Sequence, residues 1–413
     1  MNRQWSEELW EKANQIVEQS SSTKEADRRL REELGKTYEA FRARRKRLSR
    51  KIEEDKKSQQ FREELLELRR KYRELLSLSN FEEKILNQLD DRIQRWNAFL
   101  PKAKSARLES SDDLEHNKVV LLLGDLHIGE VVSLEETSGI SEYNFDIFRK
   151  RLQLLSDQIN TFLFQKLCGY NFDEIVVICL GDMVSGNIID ELIETNDPEV
   201  TDQVVDGAYI LAQFLQEQAQ RFPQVVVHGI PGNHGRLKRK KQYKRRYASW
   251  DRVMYKMIGS ILRQQDNISF HFPKSLFGVA EICGAKFLYT HGDEIRSWMG
   301  IPWYGMERDR RRKQELAYRI PDLGHFDYMI LGHFHTCVQM DAPSGEIIVN
   351  GSFVGGDEYS IGRLGRAMEP SQIIFGVDAF GKITWRHPIR LGDISMIEEI
   401  RYLLPEEVWG EPE

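Results

Sequence analysis

The sequence has few cysteines and no cysteine pair. Cys168, Cys179, Cys283 and Cys337 are the four in 413 residues, and none has CxxC spacing or lies in one of the polar motifs described below. This pattern argues against a structural zinc cage. Because Cys179 lies in a predicted strand, we expect the four to be buried free thiols in a reducing compartment.

The sequence also lacks a long apolar run. No segment has the length and apolar character of a membrane span, and the first residues, MNRQWSEE, lack the apolar core of a signal peptide. We therefore expect a cytoplasmic protein with no membrane partner.

An excess of positive charge is absent as well. The formal net charge is -6, which argues against wholesale binding of a polyanion, although a balanced total can hide local basic patches. With 40% hydrophobic and 30% charged residues, the composition is globular with a polar excess, which we place in the N-terminal third. The length allows a full core plus additional domains.

Five short polar motifs stand out, and each follows a predicted strand. The strands are the apolar, β-branched runs 118–124, 174–180, 225–230, 287–290 and 328–331. The motifs are Asp125-Leu126-His127, Gly181-Asp182, Gly232-Asn233-His234, His291-Gly292-Asp293 and Gly332-His333-Phe334-His335. In open α/β sheets, the carboxyl ends of the strands are where ligands bind.

The residue types in these motifs suit a metal. Carboxylate oxygen, imidazole nitrogen and an Asn carbonyl together favour Mn, Fe or Zn. In an extended strand end, residues i and i+2 point the same way, so we expect Asp125 with His127, and His333 with His335, each to converge on one point. A single His is more often a surface or core residue, and GNHG alone can be a turn, yet five of the ten histidines lie in these motifs.

The motifs DxH, GD, GNH, HG and GHxH, in this order, resemble the calcineurin-like metallophosphoesterase superfamily over roughly residues 117–390. The similarity is nearest to the DNA-repair exonuclease branch, because this centre is combined with basic loops. The resemblance implies an α/β (α+β) two-sheet sandwich flanked by helices.

The resemblance also implies two divalent metal ions and a set of ligands. Manganese is expected first, with iron, zinc, nickel or magnesium as alternatives. One metal would be held by Asp125, His127, Asp182 and His335, and the other by Asp182, Asn233, His291 and His333. A hydroxide bridging the metals would attack phosphorus in line, and His234 would protonate the leaving oxygen.

The sequence departs from the superfamily pattern at two positions. Members usually carry an acidic residue or His three positions after the bridging Asp, and Asp or Glu after the GNH histidine; here these positions are Ser185 and Gly235. An imidazole acid needs its other nitrogen hydrogen-bonded to fix its tautomer, and the sequence names no group that would do this for His234.

The first 50 residues predict an all-α head of three short helices. Ser22-x-x-Glu25 predicts a capping box at the start of the second helix, and Gly35 its end. The segment from Gly35 to Leu48 resembles a Myb/SANT-like helix-turn-helix. Its cations would contact DNA, with Arg42, Arg45 and Lys46 as candidates; the alternative is a solvated charged helix.

Residues 51–100 predict a long helical or coiled-coil arm. Phe61, Leu65, Leu68, Tyr72 and Leu75 follow the spacing of a coiled-coil seam, so a homodimer through this arm is one expectation and a helical hairpin another. A linker over 101–116 would lead to the metallophosphoesterase domain, 117–390, followed by a C-terminal tail, 391–413.

Two basic insertions suggest a nucleic-acid substrate. The first follows His234 directly, and its candidate DNA contacts are Arg236, Lys238, Arg239, Lys240 and Lys241. The second, Trp298 to Lys313, mixes aromatic residues and cations and contributes Trp303 and Arg311 as candidates for base stacking and phosphate contact. The alternative is that these aromatics form a local core and the charges are solvated.

Three functions therefore stand. The first is a DNA-directed phosphodiesterase, that is, a nuclease, with DNA as its partner. The second is a phosphatase or phosphodiesterase acting on nucleotides or other small phosphates. The third is a DNA-binding assembly protein whose phosphoesterase domain is a scaffold.

Overall fold

The structure, a computed structural model, describes residues 7–39, 41–46, 115–241, 243–295, 302–321, 323–343, 345–404 and 407. The chain divides into two compact units, Met1–Arg73 with Glu406–Glu413, and Glu74–Pro405. The predicted coiled-coil arm, with its homodimer, and almost all of the predicted linker lie outside the described residues.

The N-terminal unit contains helices around a small core. Helix α1 spans Glu7–Glu18 and α2 spans Thr23–Leu34, and residues 38–39 and 41–46 are also helical. The core consists of buried side chains from all three: Ala13, Ile16, Leu30 and Phe41. The three predicted helices are therefore present in the described part of the head.

The capping prediction for α2 is correct at one end and half correct at the other. Gly35 ends the helix in the left-handed conformation, with φ of 65°. At the start, the Ser22 side chain accepts a hydrogen bond from the Glu25 N–H. The Glu25 carboxylate, however, accepts from the Ser21 N–H and not from Ser22, so the reciprocal half of the box is displaced by one residue.

The second unit has two sheets. The first has the order β11-β10-β1-β2-β3-β4, with strands β1 (Glu115–Leu123), β2 (Tyr170–Cys179), β3 (Gln224–Gly229), β4 (Ile268–His271), β10 (Ser371–Val377) and β11 (Ile383–Arg390). Strands β1 to β4 pair in parallel, whereas β10 and β11 are antiparallel.

The second sheet has the order β5-β6-β7-β9-β8, with strands β5 (Gly278–Ile282), β6 (Ala285–Thr290), β7 (Tyr328–Leu331), β8 (Val338–Ala342) and β9 (Gly345–Val349). Strands β6, β7 and β9 are parallel to one another. The antiparallel pairs β5–β6, β8–β9 and β10–β11 each join strands that are consecutive in the chain and form hairpins.

The two sheets pack face to face. One buried cluster combines Val120 and Ile178 from the first sheet with Phe287, Ile330 and Ile348 from the second.

Helix α7 (Trp303–Ala317) covers the other face of the second sheet through Met306 and Ala317. The remaining helices are α3 (Phe145–Thr161, continued by a π-helical turn, Phe162–Lys166), α4 (Asp190–Thr195), α5 (Val200–Arg221), α6 (Trp250–Ile261) and α8 (Glu358–Leu364). This is the predicted two-sheet sandwich with flanking helices.

The segment after β11 packs on the domain. Tyr402 is buried, and its main-chain oxygen accepts hydrogen bonds from the Arg149 guanidinium of α3 at 2.7 and 2.9 Å. Residues 391–404 thus include a docked part of the region predicted as a tail.

The cysteine prediction is correct in part. All four cysteines are free, but only Cys179, in β2, is buried. Cys283 and Cys337 are half-buried, and Cys168, between the last helical turn and β2, is exposed. Among the described residues, no helix is both long enough and apolar enough to cross a membrane.

Candidate metal centre

All five polar motifs follow strands of the sandwich. Strands β1, β2 and β3 of the first sheet end one or two residues before the DLH, GD and GNH motifs, and β6 and β7 of the second end directly before the HGD and GHFH motifs. Parallel strands end at one edge, so the five turns meet there.

The backbone at this edge is strained. Among the described residues, eight non-glycine residues have positive φ, and five of them are Asp125, His127, Asp182, His333 and His335, with φ between 46° and 69°. Strain of this kind concentrates at functional sites. These residues are in left-handed turns and not in extended strand ends, so the geometric reason given for their convergence is wrong. Asp125 and His127 nevertheless converge as expected.

One cluster combines three of the predicted ligands. Asp125, His127 and His335 offer ligand atoms that lie within 4.8 Å of one another. Nε2 of His127 lies 3.2 Å from Nε2 of His335, which in turn lies 3.5 Å from Oδ1 of Asp125. Two imidazole nitrogens that face each other beside a carboxylate require a proton or a cation between them.

A second cluster combines Asp182, His291 and His333 within the same limit. Nδ1 of His291 lies 2.8 Å from the Leu180 carbonyl oxygen, so it carries the proton and donates. Nε2 of neutral His291 then presents a lone pair to Asp182 Oδ2 at 2.9 Å and Asn233 Oδ1 at 3.0 Å. Three electron-pair donors meeting in a buried site suit a divalent cation.

His333 and His335 thus belong to different clusters, which corrects the expectation that they converge on one point. Asp182 is shared, because it also forms a third cluster with His127 and His234. Its Oδ1 accepts the His234 N–H at 2.7 Å while Oδ2 faces His291. A carboxylate with its two oxygens directed to two clusters has the form of a bridging ligand.

The buried carboxylates of the centre are stabilised by positive charge next to them. Burial opposes the ionisation of Asp182, but His291 and His234 outweigh it and hold the pKa of this carboxyl well below its usual range. Burial likewise opposes a charged His291, yet Asp182 raises the pKa of His291 to about 10. Where no cation is bound, the carboxylates draw a proton onto an imidazole instead.

His234 is oriented by the main chain. Its Nδ1 lies 2.9 Å from the Ser185 carbonyl oxygen, which only accepts, so Nδ1 carries the proton and donates. Nε2 is the nitrogen left to exchange a proton with another group. Ser185 therefore supplies through its carbonyl the orienting group that the sequence did not reveal, and a main-chain acceptor leaves no sequence signal.

The Ser185 turn is itself held in place. Oγ of Ser185 donates to Asn196 Oδ1 at 3.0 Å, and the Asn196 amide donates to the Gly186 carbonyl at 2.6 Å. The Gly186 N–H donates to Gln203 Oε1 at 2.9 Å. A Cβ at Gly186, where φ is 73°, would lie 2.2 Å from the His234 carbonyl oxygen, so only glycine permits this approach.

Two buried carboxylates beside the centre were not found by sequence reasoning. Glu130 Oε2 lies 3.1 Å from His127 Nδ1 and, despite burial, raises the pKa of His127 to about 9. Its position three residues after His127 was a usable signal. Asp251, on α6, lies far from every motif in sequence, and burial followed by repulsion from Asp182 raises its pKa to about 6.

The first basic insertion is a loop over residues 236–247, here named the cationic loop. Arg236 donates to the main-chain oxygens of Asn233, Lys238 and Arg239. Lys241 donates to the carboxylate and carbonyl oxygens of Asp293, both at 2.8 Å. These two side chains thus hold the loop in place.

The remaining candidates of the cationic loop face solvent. Lys238, Arg239 and Lys240 are exposed, and so are Lys244 and Arg245. Arg239 forms an exposed ion pair with Asp190.

The second basic insertion is partly internal. Residues 296–301, including Trp298, lie outside the described residues, and Trp303 begins helix α7 with 46% of its surface exposed. Arg310 and Lys313 are buried, Arg310 against the Phe326 ring and Lys313 against Glu294 at 2.9 Å. Arg311 is on the exposed side and pairs with Glu307 one turn away. The cations of this segment therefore divide between a local core and solvent.

A two-sheet sandwich that gathers carboxylate, amide and imidazole donors at one strand edge defines a metal-dependent phosphoesterase, a hydrolase. The chain belongs to the calcineurin-like phosphoesterase family, whose sequence model matches residues 118–337, more than half of the chain. Members of this family typically bind two divalent metals, and the Asp and His clusters fit such ions by donor type and spacing.

A search of curated proteins found no match. Among solved structures, the chain is similar to Vps29 of Entamoeba histolytica in complex with Zn²⁺, with 15% identity over 66% of this chain and 99% of that chain and a TM-score of 0.28. It is also similar to an archaeal phosphodiesterase (13% identity, 65% and 99%, TM-score 0.29) and to a hypothetical protein of Pyrococcus horikoshii (12%, 68% and 91%, 0.34). Similarity this low says nothing about the substrate of this chain.

Proposed function

We propose that this phosphoesterase is a DNA-directed phosphodiesterase, that is, a nuclease. The observation that carries the proposal is the cationic loop, which begins at the residue after Gly235 and is fastened to the HGD turn. A DNA strand is a polyanion, and exposed cations beside the reacting phosphate hold its neighbouring phosphates.

An ion-pair network attaches the cationic loop to the HGD turn. Asp293 follows Gly292 in the HGD turn and pairs with both Lys241 and Arg246 of the loop. Arg246 also lies 3.7 Å from Glu294, which binds Lys313 of α7. Burial opposes ionisation of Asp293, but His291 and Arg246 hold its pKa far below the usual range. The loop is therefore tied to the same turn that carries His291.

The ion pairs that anchor the cationic loop leave other cations of the loop exposed to a substrate. Lys238, Lys240, Lys244 and Arg245 are exposed on a loop whose anchors include Arg236, Lys241 and Arg246. We assign the DNA contact of this loop to the exposed group.

We assign the metal ligands to two sets, Asp125, His127, Asp182 and His335 for one ion, and Asp182, Asn233, His291 and His333 for the other. When bound, the ions would neutralise charge on the phosphoryl oxygens and lower the pKa of the attacking water. Asp182 belongs to both sets, and each of its oxygens has a separate contact: Oδ1 accepts the His234 N–H, and Oδ2 lies against the His291 ring.

His234 is the group we assign to the leaving oxygen. With Nδ1 donating to Ser185, its Nε2 would carry and release the proton that the departing alkoxide needs. Burial lowers the pKa of His234, so the protonated ring is a strong proton donor.

The test uses the full chain with Mn²⁺ and end-labelled single- and double-stranded DNA. We expect cleavage that requires the metal and is lost in Asp182→Ala, which lacks the shared carboxylate. Asp173→Ala is the matched control, because Asp173 is an exposed carboxylate near the opposite end of the same strand, β2. Absence of DNA cleavage with Mn²⁺, Fe²⁺, Zn²⁺, Ni²⁺ or Mg²⁺ would overturn the nuclease proposal.

The proposal extends to the N-terminal head. Phe41 is buried in the core of the head, whereas Arg42, Arg45 and Lys46 on the same helix are exposed. A helix that packs on one side and presents cations on the other is suited to contact DNA phosphates.

A phosphodiesterase for nucleotides or other small phosphates is the second candidate. It is favoured by the pairing of Arg239 with Asp190 and Lys241 with Asp293, which reduces the charge available to a long polyanion. Turnover of a bis-aryl phosphate without turnover of DNA would select this function.

A further inference from the structure

Asp251 is a fully buried carboxylate of helix α6 that serves other elements. Its Oδ2 accepts the N–H of Gly232 at 2.8 Å and of Asp182 at 3.2 Å, and its Oδ1 accepts the N–H of Met183 at 3.1 Å. The three donors belong to the GD and GNH turns, which follow different strands. One carboxylate therefore joins the turns that carry Asp182, Asn233 and His234.

An acid in the first turn of a helix usually serves that helix. Here Ser249 is the N-cap, and its side chain accepts the Arg252 N–H at 3.2 Å. The start of α6 is also joined to the GNH turn, since the Trp250 N–H donates to the Gly235 carbonyl at 2.7 Å. Asp251 is thus not needed as the cap and lies where it can reach the two turns.

Gly235 faces this carboxylate directly. A Cβ built on Gly235 would lie 2.8 Å from Cγ of Asp251 and 2.9 Å from each of its oxygens. The backbone of Gly235 is not among the left-handed glycines, so its conformation would accept any residue. The neighbouring carboxylate, and not backbone strain, is therefore what requires glycine at this position.

We infer that Asp251 is a positioning residue of the metal centre, which supplies from α6 the carboxylate that the GNH turn itself lacks at Gly235. The two positions exclude each other: a side chain at 235 and the carboxylate of Asp251 occupy the same space. The inference rests on the metal ligands proposed above, because it acts through Asp182 and the GNH turn.

The first test is Asp251→Asn, which keeps the volume but directs an amide N–H₂ at one or more of the three N–H donors. We expect Mn²⁺ affinity, measured by calorimetry, to fall about 10- to 100-fold, as for other groups that orient metal ligands. Ser249→Ala is the matched control: it removes the cap of the same helix, so the melting temperature falls while Mn²⁺ affinity stays unchanged.

The second test exchanges the two positions. Gly235→Asp and Gly235→Ala should each weaken Mn²⁺ binding in the natural chain, because their Cβ would collide with Asp251. In an Asp251→Ala background the collision is gone, and Gly235→Asp should restore affinity relative to Asp251→Ala alone. A double-mutant cycle isolates this coupling.

The metal-ligand assignment and the positioning role of Asp251 are contradicted by different results. Unchanged Mn²⁺ affinity in Asp182→Ala would overturn the ligand assignment itself. Loss of affinity in Asp182→Ala with unchanged affinity in Asp251→Asn would overturn only the role of Asp251. Equal effects of Gly235→Ala in the natural chain and in the Asp251→Ala background would overturn the mutual exclusion. The Asp251→Asn measurement tests the positioning role whether or not Asp251→Ala folds.

Discussion

Main-chain carbonyls direct two histidines of the centre. The Leu180 carbonyl accepts from His291 Nδ1, and the Ser185 carbonyl accepts from His234 Nδ1. Leu180 and Ser185 both follow strand β2, so the segment after this one strand fixes the tautomers of His291 and His234. A carbonyl orients an imidazole without adding a full negative charge, so the negative charge of the centre comes from its carboxylates alone.

The role of His234 predicts an effect that depends on the leaving group. In His234→Ala, kcat/KM for an alkyl phosphodiester such as DNA should fall about 10²- to 10⁴-fold, because the alkoxide departs without a proton. For a bis-aryl phosphate, whose aryloxide needs little assistance, the fall should be much smaller. Steady-state kinetics on both substrates check this, and an equal loss on both would contradict a general-acid role.

Glu130 predicts an effect on metal affinity. Replacing it by Gln removes the negative charge 3.1 Å from His127 Nδ1, so Mn²⁺ affinity should fall about 10- to 100-fold in calorimetry. Glu135→Gln is the control, since Glu135 is an exposed acid of the same loop. If both variants bind Mn²⁺ as tightly as the natural chain, Glu130 does not orient His127.

For individual residues, the sequence predicted the side chains that act as metal donors but not the groups that orient them. Asp125, His127, Asp182, His291, His333 and His335 were predicted because their motifs follow apolar strands, and the structure brings them into clusters. The left-handed backbone of these residues, the Ser185 carbonyl and the Asp251 carboxylate were not predicted. Main-chain acceptors and contacts across 69 residues, as between Asp182 and Asp251, leave no local pattern.

The strand ends are the elements that build the centre. Strands β1, β2, β6 and β7 were predictable because runs of β-branched and aliphatic residues are buried on both faces of the sheet over most of their length. Strand β3 was predictable from its run of valines, although its burial alternates along the strand. Strand β4 was not predicted, since it is a four-residue edge strand with no buried residue. Short half-exposed strands give little periodicity.

The cationic loop predicts the salt dependence of DNA binding. Lys238→Ala with Lys240→Ala should weaken DNA binding and reduce the slope of log K against log salt by about 1 for each phosphate that the loop no longer neutralises. The matched control is Lys166→Ala with Lys382→Ala. These exposed lysines precede β2 and β11, at the edge of the first sheet opposite the metal centre.

The measurement is DNA affinity over a range of salt concentrations, with turnover of a bis-aryl phosphate followed in parallel. The loop variant should keep its turnover of the small substrate, because Arg236 and Lys241 still hold the loop. Equal affinities and slopes in the loop variant and the control would argue against DNA binding by this loop.

For the whole molecule, the net charge of -6 opposes long-range attraction of DNA, so binding must come from local groups of cations. The exposed cations of the head are one such group, and the removal of Arg42, Arg45 and Lys46 tests them in the full chain. The triple alanine variant should weaken DNA binding and reduce the salt slope while leaving bis-aryl phosphate turnover unchanged. Alanine favours helix, so the fold of the head should be retained.

The control for this prediction removes the same charge from the same unit. Arg28, Arg29 and Arg31 lie on α2, a different helix from the candidate DNA contacts, and pair with Glu32, Glu33 and Asp27. Their replacement by alanine should leave DNA affinity almost unchanged, whereas the removal of Arg42, Arg45 and Lys46 should not. If both triple variants bind DNA equally well over the whole salt range, the head does not contact DNA, and the DNA affinity of the protein comes from its second unit.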